Sequence, residues 1–132
     1  MSDIKYTTAV GRRKTATARV KLTPASKNSV TVNGKPAAEF FNTDERTNIA
    51  SDAFRIEEVT EHYTVEAKVS GGGISAQAEA VRMAIARAIE KHMPHLRKPL
   101  KAAGYLKRDQ RHVERKKPGL LKARKRPSWS KR

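Results

Sequence analysis

The sequence predicts a two-layer α/β domain, an α+β sandwich of sheet and helices over residues 1–95, followed by a long extended basic C-terminal tail over residues 96–132. Three observations predict it: segments whose apolar residues alternate at period two, one long segment whose apolar residues recur at three- and four-residue steps, and a charge distribution crowded into one end. A strand with one apolar face and a helix with one apolar stripe bury both by packing sheet on helix. The sheet is therefore expected to be antiparallel or mixed, with helices on one side and the other side open to water or a partner.

The first element is KTATARVKL, in which Ala16, Ala18, Val20 and Leu22 fall on one side and Thr15, Thr17, Arg19 and Lys21 on the other, the pattern of a half-buried strand. Val30 to Val32 followed by Asn33-Gly34 predicts a short strand entering a tight turn, and PAAEFF predicts a helix with Pro36 at its first position. Asn42 to Ser51 predicts a second short helical piece, and Phe54 to Val59 is a less regular candidate strand. From His62 to Val69, Tyr63, Val65, Ala67 and Val69 alternate with Thr64, Glu66 and Lys68, which predicts another strand. After Gly71-Gly72-Gly73, the residues Ile74, Ala78, Val81, Ile85, Ile89 and Met93 form one apolar stripe of a helix that Pro94 closes. HLRKPLKAAG then has the form of a helical turn or two ending at Gly104.

Charge decides what the tail is for. Of the net +16, residues Leu96 to Arg132 hold 15 Lys or Arg against Asp109 and Glu114, or 15 − 2 = +13, while the preceding residues hold 14 − 11 = +3. So dense a run of like charge repels itself, and its scattered apolar residues, among them Leu106, Val113, Leu120 and Leu121, offer little to bury, so it should be extended when free. Stretched at roughly 3.3 Å per residue, Tyr105 to Arg132 would span on the order of 90 Å. Such an arm reaches a polyanionic partner remote from its own domain.

The remaining composition narrows the function by exclusion. The chain has no cysteine, so disulfides and thiolate zinc or iron–sulfur sites are out, which fits a reducing cytoplasm. MSDIKYTT has no apolar h-region, and the long helix carries Glu79, Arg82, Arg87, Glu90 and Lys91, so no membrane span is expected and the protein should be soluble and intracellular. His92 and His95 are separated by Pro94, and His62 and His112 are remote, so packing or surface roles are expected rather than metal binding. No Ser-His-Asp set, paired carboxylates or activated nucleophile can be assembled. Carboxylates such as Glu79, with Arg82 at i+3, read as ordinary solvated pairs. No enzymatic activity and no cofactor are expected.

Two constellations fit polyanion binding. Gly71-Gly72-Gly73-Ile74-Ser75-Ala76 matches the dinucleotide fingerprint, but the helix that follows runs into Pro94 and a cationic tail, so the second parallel strand that would carry the ribose-binding acid is not expected. Two readings stay open for Gly71, Gly72 and Gly73: a sharp backbone turn into the helix, and a phosphate held by the free N–H groups at its start. Arg12, Arg13 and Lys14 beside Gly11 read either as a solvated strand end or as phosphate contacts, with Arg19 and Lys21 extending the same polar face along the sheet.

These residues carry a resemblance. GRRKTATARVKL (Gly11 to Leu22), VTVNG (Val30 to Gly34), GGGISAQAEAVRMAIARAI (Gly71 to Ile89) and LKRDQRHVERKKPGLLKARKRPSWSKR (Leu106 to Arg132) stand in the order and spacing of the bacterial small-subunit ribosomal protein S nine family, which the chain resembles over essentially its whole length. The resemblance implies a fold like the second domain of ribosomal protein S five, including a left-handed βαβ crossover that the general rule for such connections would not suggest. It implies a structural protein of the small-subunit head, cytoplasmic on the ribosome, bound to small-subunit ribosomal RNA and to neighbouring head proteins. It also implies that Arg12, Arg13, Lys14, Gly71, Gly72, Gly73, Lys107, Arg108, Arg111, Arg115, Lys116, Lys117, Lys122, Arg124, Lys125 and Arg126 meet that RNA. The final Ser130, Lys131 and Arg132 would reach the anticodon stem-loop of the peptidyl-site tRNA. The chain departs from the family pattern at Lys107, where threonine is common, at Ala76, where glycine is frequent, and at Ser128 and Trp129, where glutamine and then phenylalanine or tyrosine are expected. A nonspecific nucleic-acid-binding or compacting protein would share the charge but would have no reason to end in Ser-Lys-Arg.

Overall fold

In the computed structural model, which describes residues 6–56, 62–107, 115–122 and 124–125, the chain opens with a β-hairpin. The elements are β1 (Thr7–Arg13), β2 (Ala16–Ala25), β3 (Ser29–Val32), β4 (Lys35–Pro36), α1 (Ala37–Phe41), α2 (Asp44–Ser51), β5 (His62–Ser70), α3 (Ile74–His92) and α4 (Arg97–Ala102), with 3-10 turns at Asp52–Arg55 and Pro94–Leu96. The sheet runs in the order β1-β2-β5-β3-β4. Every neighbouring pair is antiparallel except β3 and β5, which run parallel and are joined through α1 and α2. The mixed sheet with helices is thus the expected α+β architecture.

The alternation read from the sequence is the alternation of burial. Ala16, Ala18, Val20 and Leu22 of β2 and Tyr63, Val65, Ala67 and Val69 of β5 are all buried, while Arg19, Lys21, Glu66 and Lys68 stand exposed on the opposite face. Helix α3 packs along β1 and β2, and α2 packs on α3 in turn. With cover on two sides, α3 buries Ala76, Ala80, Ala84 and Ala88 as well as Ala78, Val81, Ile85 and Ile89 of the predicted stripe, while Met93, at the C-cap, is partly buried. Ile74, counted in that stripe, is 41% exposed because it sits in the first turn, before the helix is covered. Thr43 caps α2 by accepting from the Arg46 backbone N–H at 3.4 Å, and Pro36 lies at the N-cap of α1, one position before the predicted one.

Strand β1 was not signalled by the sequence. Its buried side consists of Ala9 and Gly11, too small to register as an apolar stripe, and they are small because α3 lies directly on them. A Cβ built on Gly11 would stand 2.0 Å from the Ala80 carbonyl oxygen and 2.6 Å from the Ala84 nitrogen. The outer edge of β1 is closed by α3 as well, since Arg87 Nη1 donates to the Val10 carbonyl at 2.7 Å and Lys91 Nζ to the Thr8 carbonyl at 3.0 Å. Two long cations on the helix thus satisfy carbonyls that an edge strand would otherwise leave open.

The candidate strand Phe54–Val59 needs correction. Phe54 and Arg55 belong to the 3-10 turn, where Phe54 stacks on Tyr63 with ring centroids 6.2 Å apart, and residues 57–59 lie outside the described residues.

Asn33 does more than turn the chain. At φ 50° it takes the left-handed conformation the predicted turn needs, and its side chain copies a peptide group: Oδ1 accepts from the Val69 N–H at 3.0 Å and Nδ2 donates to the Val69 carbonyl at 3.2 Å. Its own N–H donates to the Ala67 carbonyl at 2.8 Å, so the parallel β3–β5 ladder is continued past the end of β3. Replacing Asn33 with alanine removes two hydrogen bonds worth about 1 kcal/mol each. Urea denaturation of Asn33→Ala should show a loss of about 2 kcal/mol.

The compact part passes the composition boundary at residue 95. Leu96 and Leu100 are fully buried in the core, and Tyr105 and Leu106 pack against it. Helix α4 ends with Gly104 at φ 83°, the Gly104 N–H bonding the Lys101 carbonyl at 3.0 Å and the Tyr105 N–H the Leu100 carbonyl at 3.2 Å. This is a glycine C-cap at the predicted residue. Charge marks where the surface becomes basic, whereas packing follows leucines that the lysines around them do not displace.

Candidate nucleic-acid interface

The β1–β2 hairpin divides the Arg12-Arg13-Lys14 run by strand geometry. Arg12 is exposed on the open face of the sheet. Arg13, on the opposite face, is turned under α3, where its Nε donates to Glu79 Oε2 at 2.5 Å and its side chain is only 12% exposed. Lys14 is exposed at the turn with φ 52°, a conformation that costs a lysine about 1 kcal/mol or more. The three neighbours in sequence therefore differ in exposure and pairing, with only Arg13 held by a carboxylate of α3. The same pairing corrects the expected Glu79–Arg82 contact: Glu79 is held by Arg13, and Arg82 Nη1 instead lies 3.8 Å from Asp52 Oδ2.

The triple glycine lies against this hairpin. Gly71 and Gly72 have φ of 76° and 64°, and a Cβ on Gly71 would come within 2.5 Å of the Thr15 carbonyl oxygen. At Gly71 and Gly72 the turn into α3 thus combines a left-handed backbone with close approach to the hairpin, as the backbone reading expects, whereas a Cβ on Gly73 would meet nothing within 4 Å. The N-cap Gly73 offers no side-chain acceptor, and Gly71 to Ser75 are exposed. Ser75 Oγ accepts from Arg46 Nε at 3.1 Å, and Gln77 Nε2 donates to the Gly71 carbonyl at 3.0 Å. After α3 the described chain continues into the Pro94–Leu96 turn and α4, so no βαβ unit is completed there.

The root of the tail lies beside the same hairpin. Arg12, Arg13, Arg82, Tyr105 and Lys107 line one small cleft, and the Arg82 guanidinium sits 5.1 Å from the Tyr105 ring centroid, a cation–π contact. Farther along, Arg115, Lys116, Lys117, Lys122, Arg124 and Lys125 are all exposed around a turn in which Gly119 has φ 83°. Arg108, Arg111, Arg126, Ser130, Lys131 and Arg132 lie outside the described residues.

The sheet itself supplies cations that the local motifs had only begun to show. Register places Arg12 opposite Thr17, Lys21 opposite Glu66, and Arg19 opposite Lys68, all on the face away from α3. Among the described residues, the paired positions of β1, β2 and β5 on that face carry four cations to one carboxylate. Lys21 Nζ lies 4.2 Å from the Tyr6 ring centroid. Lys68 joins Arg19 only through the β2–β5 register, which no local pattern in the sequence reveals.

Elsewhere, histidine takes the packing role: His92 meets Tyr63 edge to face at 5.6 Å. No helix among the described residues is long and apolar enough to cross a membrane. A small α+β domain with cations spread over an open sheet, a hairpin end and a tail root has the form of a protein that binds polyanions through many weak contacts rather than one pocket. The chain matches the Ribosomal protein S9/S16 family over residues 11–132 and belongs to that family. It is a ribosomal protein of the small subunit, from a family that is structural and not enzymatic.

Proposed function

We propose that this chain is a structural protein of the small-subunit head that holds ribosomal RNA with its domain and the body of its tail, and brings Ser130, Lys131 and Arg132 to the peptidyl-site tRNA. The observation that carries the proposal is the family match reaching residue 132, through a segment whose described cations are all exposed. Arg12, Lys14, Lys107, Arg108, Arg111, Arg115, Lys116, Lys117, Lys122, Arg124, Lys125 and Arg126 serve as phosphate contacts, and Gly71 to Gly73 bring the start of α3 near the RNA. Neighbouring head proteins complete its surroundings in the cytoplasmic ribosome. The parallel β3–β5 pair is the connection in which the left-handed crossover of the S five second domain is expected.

The physics favours an arm over a rigid lobe. Arginine grips phosphate with a planar fork and stacks on bases, while lysine adds a mobile point charge. Glycine and proline let the strand pass between RNA helices without regular structure, and ordering it costs about 1 to 2 kcal/mol of backbone entropy per residue. Counterion release offsets that cost on binding.

A photo-crosslinker at residue 132 in purified ribosomes should label peptidyl-site tRNA. Deleting Ser130 to Arg132 should leave subunit assembly intact and weaken tRNA binding at that site. Unchanged tRNA affinity in such subunits would remove the assigned role of the tip.

A further inference from the structure

We infer that the open face of the sheet is itself an RNA-backbone site, separate from the tail, in which Arg19, Lys21 and Lys68 hold phosphates. The inference rests on the ribosomal reading and deepens it by naming a surface and its ligand. The key observation is the β2–β5 register, which sets Arg19 directly opposite Lys68. Like charges facing each other across a strand pair oppose folding. Neither residue has an ion-pair partner among the described residues, although the chain pairs Arg13, Arg55, Arg82 and Arg97 with carboxylates elsewhere.

Three further features point to the same occupant. Arg12 and Lys21 share the face with Arg19 and Lys68, leaving Glu66 as the only carboxylate at these register positions. A groove is lined by Arg19, Lys21, Glu66 and Lys68 of the sheet together with Arg87 and Lys91 of α3. Tyr6, 56% exposed, holds the Lys21 ammonium over the face. The body of α3 lies on the other side of the sheet, and only its Arg87 and Lys91 side chains reach round the β1 edge to the groove. A polyphosphate backbone matches it in sign, and it neutralises the Arg19–Lys68 opposition on binding.

The opposition provides a test that separates binding from folding. In Lys68→Glu, Arg19 would face a carboxylate, so the free full-length chain should unfold at a higher temperature than wild type. Binding to small-subunit ribosomal RNA should nevertheless weaken, with the slope of log affinity against log salt reduced in magnitude by about 1 to 2. Lys27→Glu is the charge-matched control, since it changes net charge equally in the exposed β2–β3 loop; it should leave the slope near the wild-type value. A Lys68→Glu chain that binds with the slope of Lys27→Glu, or that unfolds at a lower temperature than wild type, overturns the assignment while leaving the ribosomal reading in place. Failure of the wild-type chain to bind this RNA at all would sink both.

Discussion

Gly11→Ala should lower the unfolding free energy by about 3 kcal/mol or more, at or beyond the upper end of the usual cost of overpacking a core. The reason is what the new methyl group meets. The Ala80 carbonyl oxygen and the Ala84 nitrogen, at 2.0 and 2.6 Å, are backbone atoms inside a helix and cannot rotate away. Helix α3 would have to lift from β1, and with it the Arg87 and Lys91 contacts that close the edge of that strand. In a domain of roughly 100 residues the change corresponds to a fall of about 12 °C or more in melting temperature. Ala84→Gly should rescue little, because it removes only the Cβ contact at 3.0 Å and leaves both backbone contacts in place. Gly73→Ala, where a Cβ meets nothing within 4 Å, should cost less than about 1 kcal/mol by the same urea titration. Equal stabilities for the Gly11 and Gly73 variants would show that α3 does not lie on β1 as described.

Gly11 also explains where the sequence became illegible. Strands β2 and β5 and helix α3 announce themselves because valine, leucine, isoleucine and tyrosine mark one side of each, and that side is buried. Strand β1 alternates just as strictly, but in size rather than hydropathy, with Ala9 and Gly11 against Thr8, Val10 and Arg12. Helix–sheet contact this close demands small residues, and small residues carry little apolar signal. The site was partly legible for a similar reason. Composition shows that cations are abundant and alternation shows that Arg19 and Lys21 share a face, yet only pairing between distant strands sets Lys68 beside Arg19. Proximity in sequence misled in the other direction: Arg12 and Arg13 are neighbours in the chain and lie on opposite faces of the sheet, one exposed and one held by Glu79.

Two truncations should separate the fold from the cationic arm. Ending the chain after Lys107 removes 11 Lys or Arg together with Asp109 and Glu114, a net loss of 11 − 2 = 9 positive charges, but retains the packed Leu96, Leu100, Tyr105 and Leu106. Its stability should stay within about 0.5 kcal/mol of wild type, as for surface changes that touch no core contact. Its RNA binding should change greatly: if half of the deleted cations meet phosphates, the salt-dependence slope falls in magnitude by about 4. Ending the chain after His95, where composition alone divides it, removes two leucines with 2% and 0% exposure. Losing one such side chain costs about 2 to 5 kcal/mol, and losing both approaches the entire stability of a typical domain. The shorter chain should therefore lack a cooperative urea transition, whereas the longer one keeps it with an unchanged midpoint. If the two transitions coincide, α4 contributes nothing to the core, and the composition boundary is the true edge of the domain.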